Sequence, residues 1–363
     1  VKNMQKYGIS AGQIIGMMFW TIMGTAVISL PVTIGLHAPR DAWAAAVLFT
    51  IGGMALGLIV GALANRFPRK DFVVYTQQVL GTFIGKLLIL VFLVWLFHTI
   101  GLVLWQITNF VKLSLLPETP IAPIMAIVLL PSAYVVYDGI EGIARSSQVV
   151  FLPTVIILFF LYLLLIPDVN LQNLLPVFED GAANILRSSI TPLAWAGEIM
   201  FLIFLAPSIN KINKTAKYSV ITIILIGFGG FIGELFYTGV FGLLRQHVSN
   251  PFYSLIRYIK PTAFIERYDI LFVTINLLGN FVKLSVFLYV FVLCLSQWLG
   301  MKSHRPLVLP SSVALLFSTQ YFVSSPNGLV LFLDNVFPLY TIPLLYGFPS
   351  LVLLVAVIRG IKG

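Results

Sequence analysis

Three charged residues stand inside long apolar runs of this sequence: Glu198, Glu234 and Lys283. A charge at mid-bilayer costs several kcal/mol by most scales (about 2.5–3.5 on insertion scales), so it marks function by default. Glu198 follows Trp195, Ala196 and Gly197, between Pro192 and Pro207. A carboxylate at such a break would receive a ligand ammonium or a proton, or serve as a structural acid paired with a lysine. Lys283 lies near the middle of its run. Its ammonium would take the place of a transported cation against carbonyls of the first span, or act as counter-ion to Glu198 or Glu234, and these roles are compatible. Glu234 falls among Gly227, Gly229, Gly230 and Gly233. Gly229 and Gly233 form a small-residue face for close helix packing. Glu234 reads there as an interhelical hydrogen-bond partner, with an ion-site or coupling role as the alternative.

The first apolar run carries Met23, Gly24, Thr25 and Ala26, then Leu30 and Pro31. Glycine permits an unwound backbone, and amides at the start of the following half-helix favour a carboxylate. Gly24, Thr25 and Ala26 are therefore expected to bind a ligand from the first span, and Trp195, Gly197 and Glu198 from the sixth. His98 and Asn276 join them as ligand contacts. For His98 the alternative is a satisfied core histidine, for Asn276 helix glue, and for Trp195 ordinary packing. No metal-ligand spacing, phosphate loop, dinucleotide fingerprint or nucleophile–base set stands out. No cofactor, metal or catalytic residue is expected, and the chain does not read as an enzyme.

The elements that must position these residues are membrane spans. Of 363 residues, 59% are hydrophobic and 10% charged, against about 25% charged in soluble domains. The net charge of +9 is spread over connections between apolar runs, which argues against a nucleic-acid partner. The single Cys294 excludes an intramolecular disulfide. The N-terminal stretch with Lys2 and Lys6 lacks the small-residue site of a cleavable signal. Apolar length predicts ten spans: 9–36, 42–64, 86–115, 121–137, 147–166, 190–209, 218–244, 268–299, 307–322 and 336–358. The ninth is short.

Basic residues fall mainly on one side of these spans, including Arg66, Arg69, Lys70, Lys211, Lys214, Lys217, Lys302 and Arg305. The positive-inside rule places that side, with both termini, in the cytoplasm. On the other side, 167–189 suggests a short surface helix. The connection 244–267, with Pro251, Pro261, Phe252, Tyr253, Tyr258 and Phe264, suggests interfacial anchors or a lid. Ten spans divide into two halves, 1–166 and 167–363, of one transmembrane domain. An odd number per half inverts one half against the other, and the interrupted first and sixth spans are then equivalents. The fold class expected is all-α and polytopic: a 5+5 inverted repeat with discontinuous helices 1 and 6 and a site at mid-bilayer.

In order and spacing the chain resembles the B subunit of bacterial spore germinant receptors. These form the spore germination permease family of the amino acid–polyamine–organocation transporter superfamily. The resemblance rests on Met23, Gly24 and Thr25 with Leu30 and Pro31, then on Leu116, Pro117, Glu118, Thr119 and Pro120. It continues through Gly139 to Arg145, Asn173 to Gly181, Gly197 and Glu198, and Ile265 to Asp269. One departure is Ala206, inserted between Leu205 and Pro207 where the family places proline directly after leucine. The resemblance implies a multi-pass subunit of the spore inner membrane. It would sense a small nutrient germinant, commonly an amino acid, beside a membrane-bound A subunit and a C-subunit lipoprotein. The alternatives are a proton-coupled amino acid transporter and an ion-conducting or structural subunit with a vestigial pocket.

Overall fold

The computed structural model describes residues 8–248, 250–260, 267–323 and 325–363. Lys2, Lys6, Pro261, Phe264, Ile265 and Glu266, invoked above, lie outside them. The described chain runs α1 (Ala11–His37), α2 (Ala42–Arg66), α3 (Phe72–Leu80), α4 (Thr82–Ser114), α5 (Ile121–Asp138) and α6 (Ile140–Leu165). It continues with α7 (Gly181–Ala196), α8 (Leu202–Leu205), α9 (Thr215–Phe241), α10 (Pro251–Arg257) and α11 (Tyr268–Trp298). It ends with α12 (Arg305–Phe322), α13 (Pro326–Asn335), α14 (Phe337–Ile342) and α15 (Phe348–Ile358). Lipid offers no partners to backbone groups, so an apolar run must satisfy its own as helix. Among the described residues nine helical stretches are long and apolar enough to span, and a tenth if α12 and α13, bent by 93°, count as one. This is an all-α, polytopic membrane protein.

The spans divide five and five, and the packing repeats between halves. The first span, α1, lies along the eighth, α11. Its equivalent, the sixth, lies against the third, α4, where Phe92 stacks on Phe204 at 5.1 Å and Trp95 meets Phe201 edge-on. The second span, α2, pairs with the seventh, α9. Small residues let these two backbones approach. A Cβ on Gly57 would sit 2.9 Å from that of Ser219, and one on Gly61 would sit 2.3 Å from that of Ala216. On α9 the close-approach position toward α2 is Gly227, against Thr50; of the expected pair, Gly233 makes its close approach to α10 instead and Gly229 makes none. The helix is rotated so that Gly229 has open space and Gly233 faces Phe252 of α10.

The first span departs from the expected unwinding. It is α-helical throughout, with a capping box at Ser10 and Gln13 and with Pro31 inside. Its carbonyls at Thr21 and Gly24 do take side-chain donors from α11. A carbonyl has two lone pairs, so both can accept these without leaving the helical ladder. The sixth span changes helix type rather than breaking open. The 3-10 turns Gly197–Phe201 and Ala206–Ser208 alternate with α7 and α8. The tenth span holds an unexpected π segment, Pro343–Gly347, whose Tyr346 hydroxyl donates to Leu193 O at 3.0 Å. In 167–189 the expected surface helix is the 3-10 turn Leu171–Leu174, capped by Asn170.

Polar ties close both ends of the bundle. At the basic end Ile9 forms a parallel bridge with Ile209, and Asn210 Nδ2 donates to Gly8 O at 2.7 Å. There Arg66 also reaches the carbonyls of Ile361 and Ala356, each at 2.7 Å. At the opposite end His37 Nε2 lies 2.9 Å from both oxygens of Asp334. The carboxylate of Asp41 accepts the amides of Phe178 and Asp180, while Asp180 accepts those of Arg40 and Asp41.

Contact between α1 and α11 is close at a glycine of α11. A Cβ on Gly279 would lie 2.0 Å from the Trp20 ring. We expect Gly279→Val to lower the thermal midpoint of the purified chain, by about 1–3 kcal/mol of overpacking strain. Gly229→Ala, which meets nothing, should not lower the midpoint and, by helix propensity, should raise it slightly. Equal effects of the two would contradict this packing.

Candidate ligand-binding site

Helix α11 carries a polar ladder toward α1. Asn276 Nδ2 donates to Gly24 O at 3.4 Å, and Asn280 Nδ2 donates to Asn276 O and Oδ1 at 2.9 and 2.8 Å. One turn on, Lys283 Nζ donates to Thr21 O at 2.6 Å and to Glu198 Oε1 and Oε2 at 2.9 and 2.7 Å. An ammonium has three donors, and all three are used. It also lies 4.9 Å from the Phe287 ring centre. Both charged side chains are buried. Lys283 is therefore paired with Glu198 and hydrogen-bonded to a carbonyl of the first span. Gly24 serves proximity here rather than unwinding, because a Cβ on it would lie 2.9 Å from Asn280 Oδ1 and 3.0 Å from the Lys283 chain.

On its other side Glu198 lines a small cavity, about 10 Å³, together with the polar side chains of Thr25, Thr99, Gln106 and Trp195 and the apolar Leu102, Val103, Leu333 and Phe337. Trp195 Nε1 donates to Thr25 Oγ1 at 3.3 Å, and Ser29 donates to Gln106 Oε1 at 2.7 Å. Side chains from spans one, three and six thus line one cavity with this carboxylate. A water needs about 10–15 Å³, so this cavity has room for one, and a larger ligand requires the spans to part.

The expected residues fall into three groups. Thr25, Trp195 and Glu198 line this cavity, with Lys283 behind the carboxylate. Gly24 and Asn276 belong to the ladder. Ala26, His98, Gly197 and Glu234 are elsewhere. Ala26 and Glu234 line a second, apolar cavity. Gly197 packs on Leu345 and Tyr346. His98 Nδ1 lies 3.4 Å from the Tyr340 hydroxyl, and its ring meets Phe322 and Phe332. Neighbouring helix positions point about 100° apart, so Thr99 faces the cavity and His98 does not.

Two features escaped sequence reading. Thr99, Leu102, Val103 and Gln106 form one face of α4 at i, i+3, i+4 and i+7, and the polar pair on that face was the available signal. The second is the partner of Glu234. Arg245, expected in an exposed connection, is buried with Nη2 2.6 Å from Glu234 Oε2. It donates also to Thr238 Oγ1 and to the carbonyls of Pro31 and Pro39, and lies 4.7 Å from the Tyr237 ring centre. The turn that returns it starts at Gly242, with φ +53°, a backbone glycine adopts readily.

Comparison with known proteins places this arrangement in context. The sequence profile of a family described as "Spore germination protein" matches residues 8–326. The chain is 26% identical to spore germination protein KB of Bacillus subtilis (strain 168), over 98% of this chain and 96% of that protein. It is 22% identical to spore germination protein GerQB of Bacillus cereus, over 89% and 88% of the two. Among solved structures it is similar to MhsT in complex with L-phenylalanine, with a TM-score of 0.65 at 13% identity, covering 97% of this chain and 99% of that one. It is also similar to Mhp1, a nucleobase-cation-symport-1 family transporter, closed with bromovinylhydantoin bound, with a TM-score of 0.61 at 13% identity, covering 96% and 78%. These likenesses establish a transporter fold.

The buried pair gives a direct test. Lys283→Met leaves Glu198 without its cation, and losing one partner of a buried pair costs about 3–5 kcal/mol. We expect a large fall in thermal midpoint for Lys283→Met, and recovery of much of it in the double variant Lys283→Met with Glu198→Gln. A double variant as unstable as the single one would show that the two side chains act independently.

Proposed function

This chain belongs to the family of spore germination proteins, and on that premise we propose that it is the ligand-sensing membrane subunit of a spore nutrient germinant receptor. The nutrient is a small molecule, an amino acid, bound in the cavity walled by Thr25, Thr99, Gln106, Trp195 and Glu198. One observation carries the reading. The cavity's only carboxylate is also the group that holds Lys283 against the first span. MhsT, alike in fold, is seen with L-phenylalanine, which is in keeping with an amino acid.

The mechanism follows from competition. A ligand ammonium entering the cavity shares Glu198 with Lys283 and so loosens the lysine's hold on Thr21 O. The ligand carboxylate meets the Thr25 and Thr99 hydroxyls, the Gln106 amide and the Trp195 N–H, since the amides of α1 stay within its helix. The cavity is too small for such a ligand while the spans are closed. Binding therefore selects an arrangement in which the first and sixth spans have parted, and this differential affinity drives the switch.

In this reading residues 1–166 and 167–363 are the two repeats, and the basic end with both termini faces the cytoplasm across the spore inner membrane. An A subunit and a C-subunit lipoprotein receive the signal. A second reading, a proton-coupled amino acid transporter, is favoured by the position of Lys283 against a first-span carbonyl, where a coupling cation would act. Uptake driven by a pH gradient into vesicles containing this chain alone would establish it, and binding without uptake would remove it.

We expect Glu198→Gln to abolish germination in response to the amino acid, while the chain still accumulates in the spore membrane at normal levels. A normal response in that variant would overturn the assignment.

A further inference from the structure

A second cavity lies beside the polar one, about 40 Å³ in volume. One wall is a continuous face of α1 that includes Ile22, Ala26 and Leu30. The facing wall is built from Phe49 of α2 and from Ile226 and Gly230 of α9. A Cβ on Gly230 would make only ordinary contact with Phe49, at 3.6 Å, so the space there is left by the absent side chain. Glu234 is the one charged residue on the lining, and its Oε2 is bonded to Arg245. The Trp195 N–H, the other polar group of note, points to Thr25.

We propose that this cavity is a second binding site, for a small uncharged apolar molecule such as a short hydrocarbon, whose occupancy opposes the response to the nutrient. The chemistry of the walls selects the class. A polar ligand would find few partners on these walls and leave most of its groups unpaired at a cost of about 1–3 kcal/mol each, whereas apolar walls accept xenon or small hydrocarbons. The volume here suits the smaller of these. The direction follows from the geometry. The walls come from α1 on one side and from α2, α7, α9 and Phe252 of α10 on the other, so an occupant keeps its contacts with α1 only while α1 holds its closed position. Trp195 is a wall of both cavities. An occupant that fixes this ring resists parting of the spans around the polar cavity, and by linkage the nutrient weakens the occupant by the same factor.

Xenon is the probe. The whole chain in lipid nanodiscs is heated with and without xenon pressure, and the midpoint is followed as pressure rises. The native chain should show a saturable upward shift. Ala46→Leu and Gly230→Val, which fill the cavity, should show none. Glu198→Gln should keep the shift, which separates this site from the nutrient site whether or not the latter reading holds. No saturable shift in the native chain, or an equal shift in the filled chains, overturns the proposal. Should the filled chains fail to fold, xenon-pressurised crystals of the native chain decide the matter. An anomalous peak between α1 and α9 supports the site, and a peak confined to the lipid-facing surface overturns it. Excess lipid that abolishes the shift identifies an acyl chain as the natural occupant, and a shift that survives identifies a free solute. Where an amino acid triggers the native chain, xenon should raise the concentration for half-response several-fold.

Discussion

A lysine ammonium buried at mid-bundle has three protons to place, and here a single choice of acceptors ties three spans together. Lys283 belongs to the eighth span, Glu198 to the sixth and Thr21 to the first. Desolvating two charges is costly, and their attraction offsets that only when the remaining donors are also satisfied. The carbonyl of Thr21 supplies the missing acceptor. The position of α1 relative to the rest is thereby written into the hydrogen-bond count of one side chain. The Asn276 and Asn280 ladder extends the same seam, and the approach of Gly24 and Gly279 brings the two helices close enough for it to form.

The seam also leaves α1 helical where its sequence suggests a break. Glycine and proline near mid-span permit an irregular backbone but do not require one, because a regular helix already pairs its carbonyls within itself. The donors of α11 use the second lone pair of each carbonyl, and the ladder stays intact. The sixth span also has helices alongside, and its Leu193 O takes the Tyr346 hydroxyl, yet its chain tightens into 3-10 turns, which often mark hinges. The two equivalent spans have reached different solutions to one problem.

Much of this was legible beforehand because of lipid. Twenty apolar residues announce a span, and a charge within one announces itself. Hence the order of the spans and the prominence of Glu198, Lys283 and Glu234 read directly, and the family resemblance pointed to the same fold. The fifth and sixth spans, however, start at Ile140 and Gly181, earlier than apolar length alone placed them. What escaped depended on rotation about a helix axis or on a chain reversal. His98 was favoured over Thr99 because imidazole has more chemistry than a hydroxyl, although only Thr99 faces the cavity. Gly229 was favoured over Gly227 because spacing alone does not fix which face meets α2. Arg245 was assigned to an exposed connection because nothing in its neighbourhood shows that the turn at Gly242 brings it back eleven residues to Glu234.

The bridge between Ile9 and Ile209 bears on how the molecule comes into being. The segment leading into the first helix is held by Ser208 and Asn210, at the far end of the sixth span. A ribosome delivers the first five spans to the membrane before those residues exist. The early half must therefore wait, inserted but without its inner seam, until the later half arrives to complete it. Closure of the first helix against the sixth span is then a late event, and the chain cannot be divided between them without parting a surface that each side leaves unfinished.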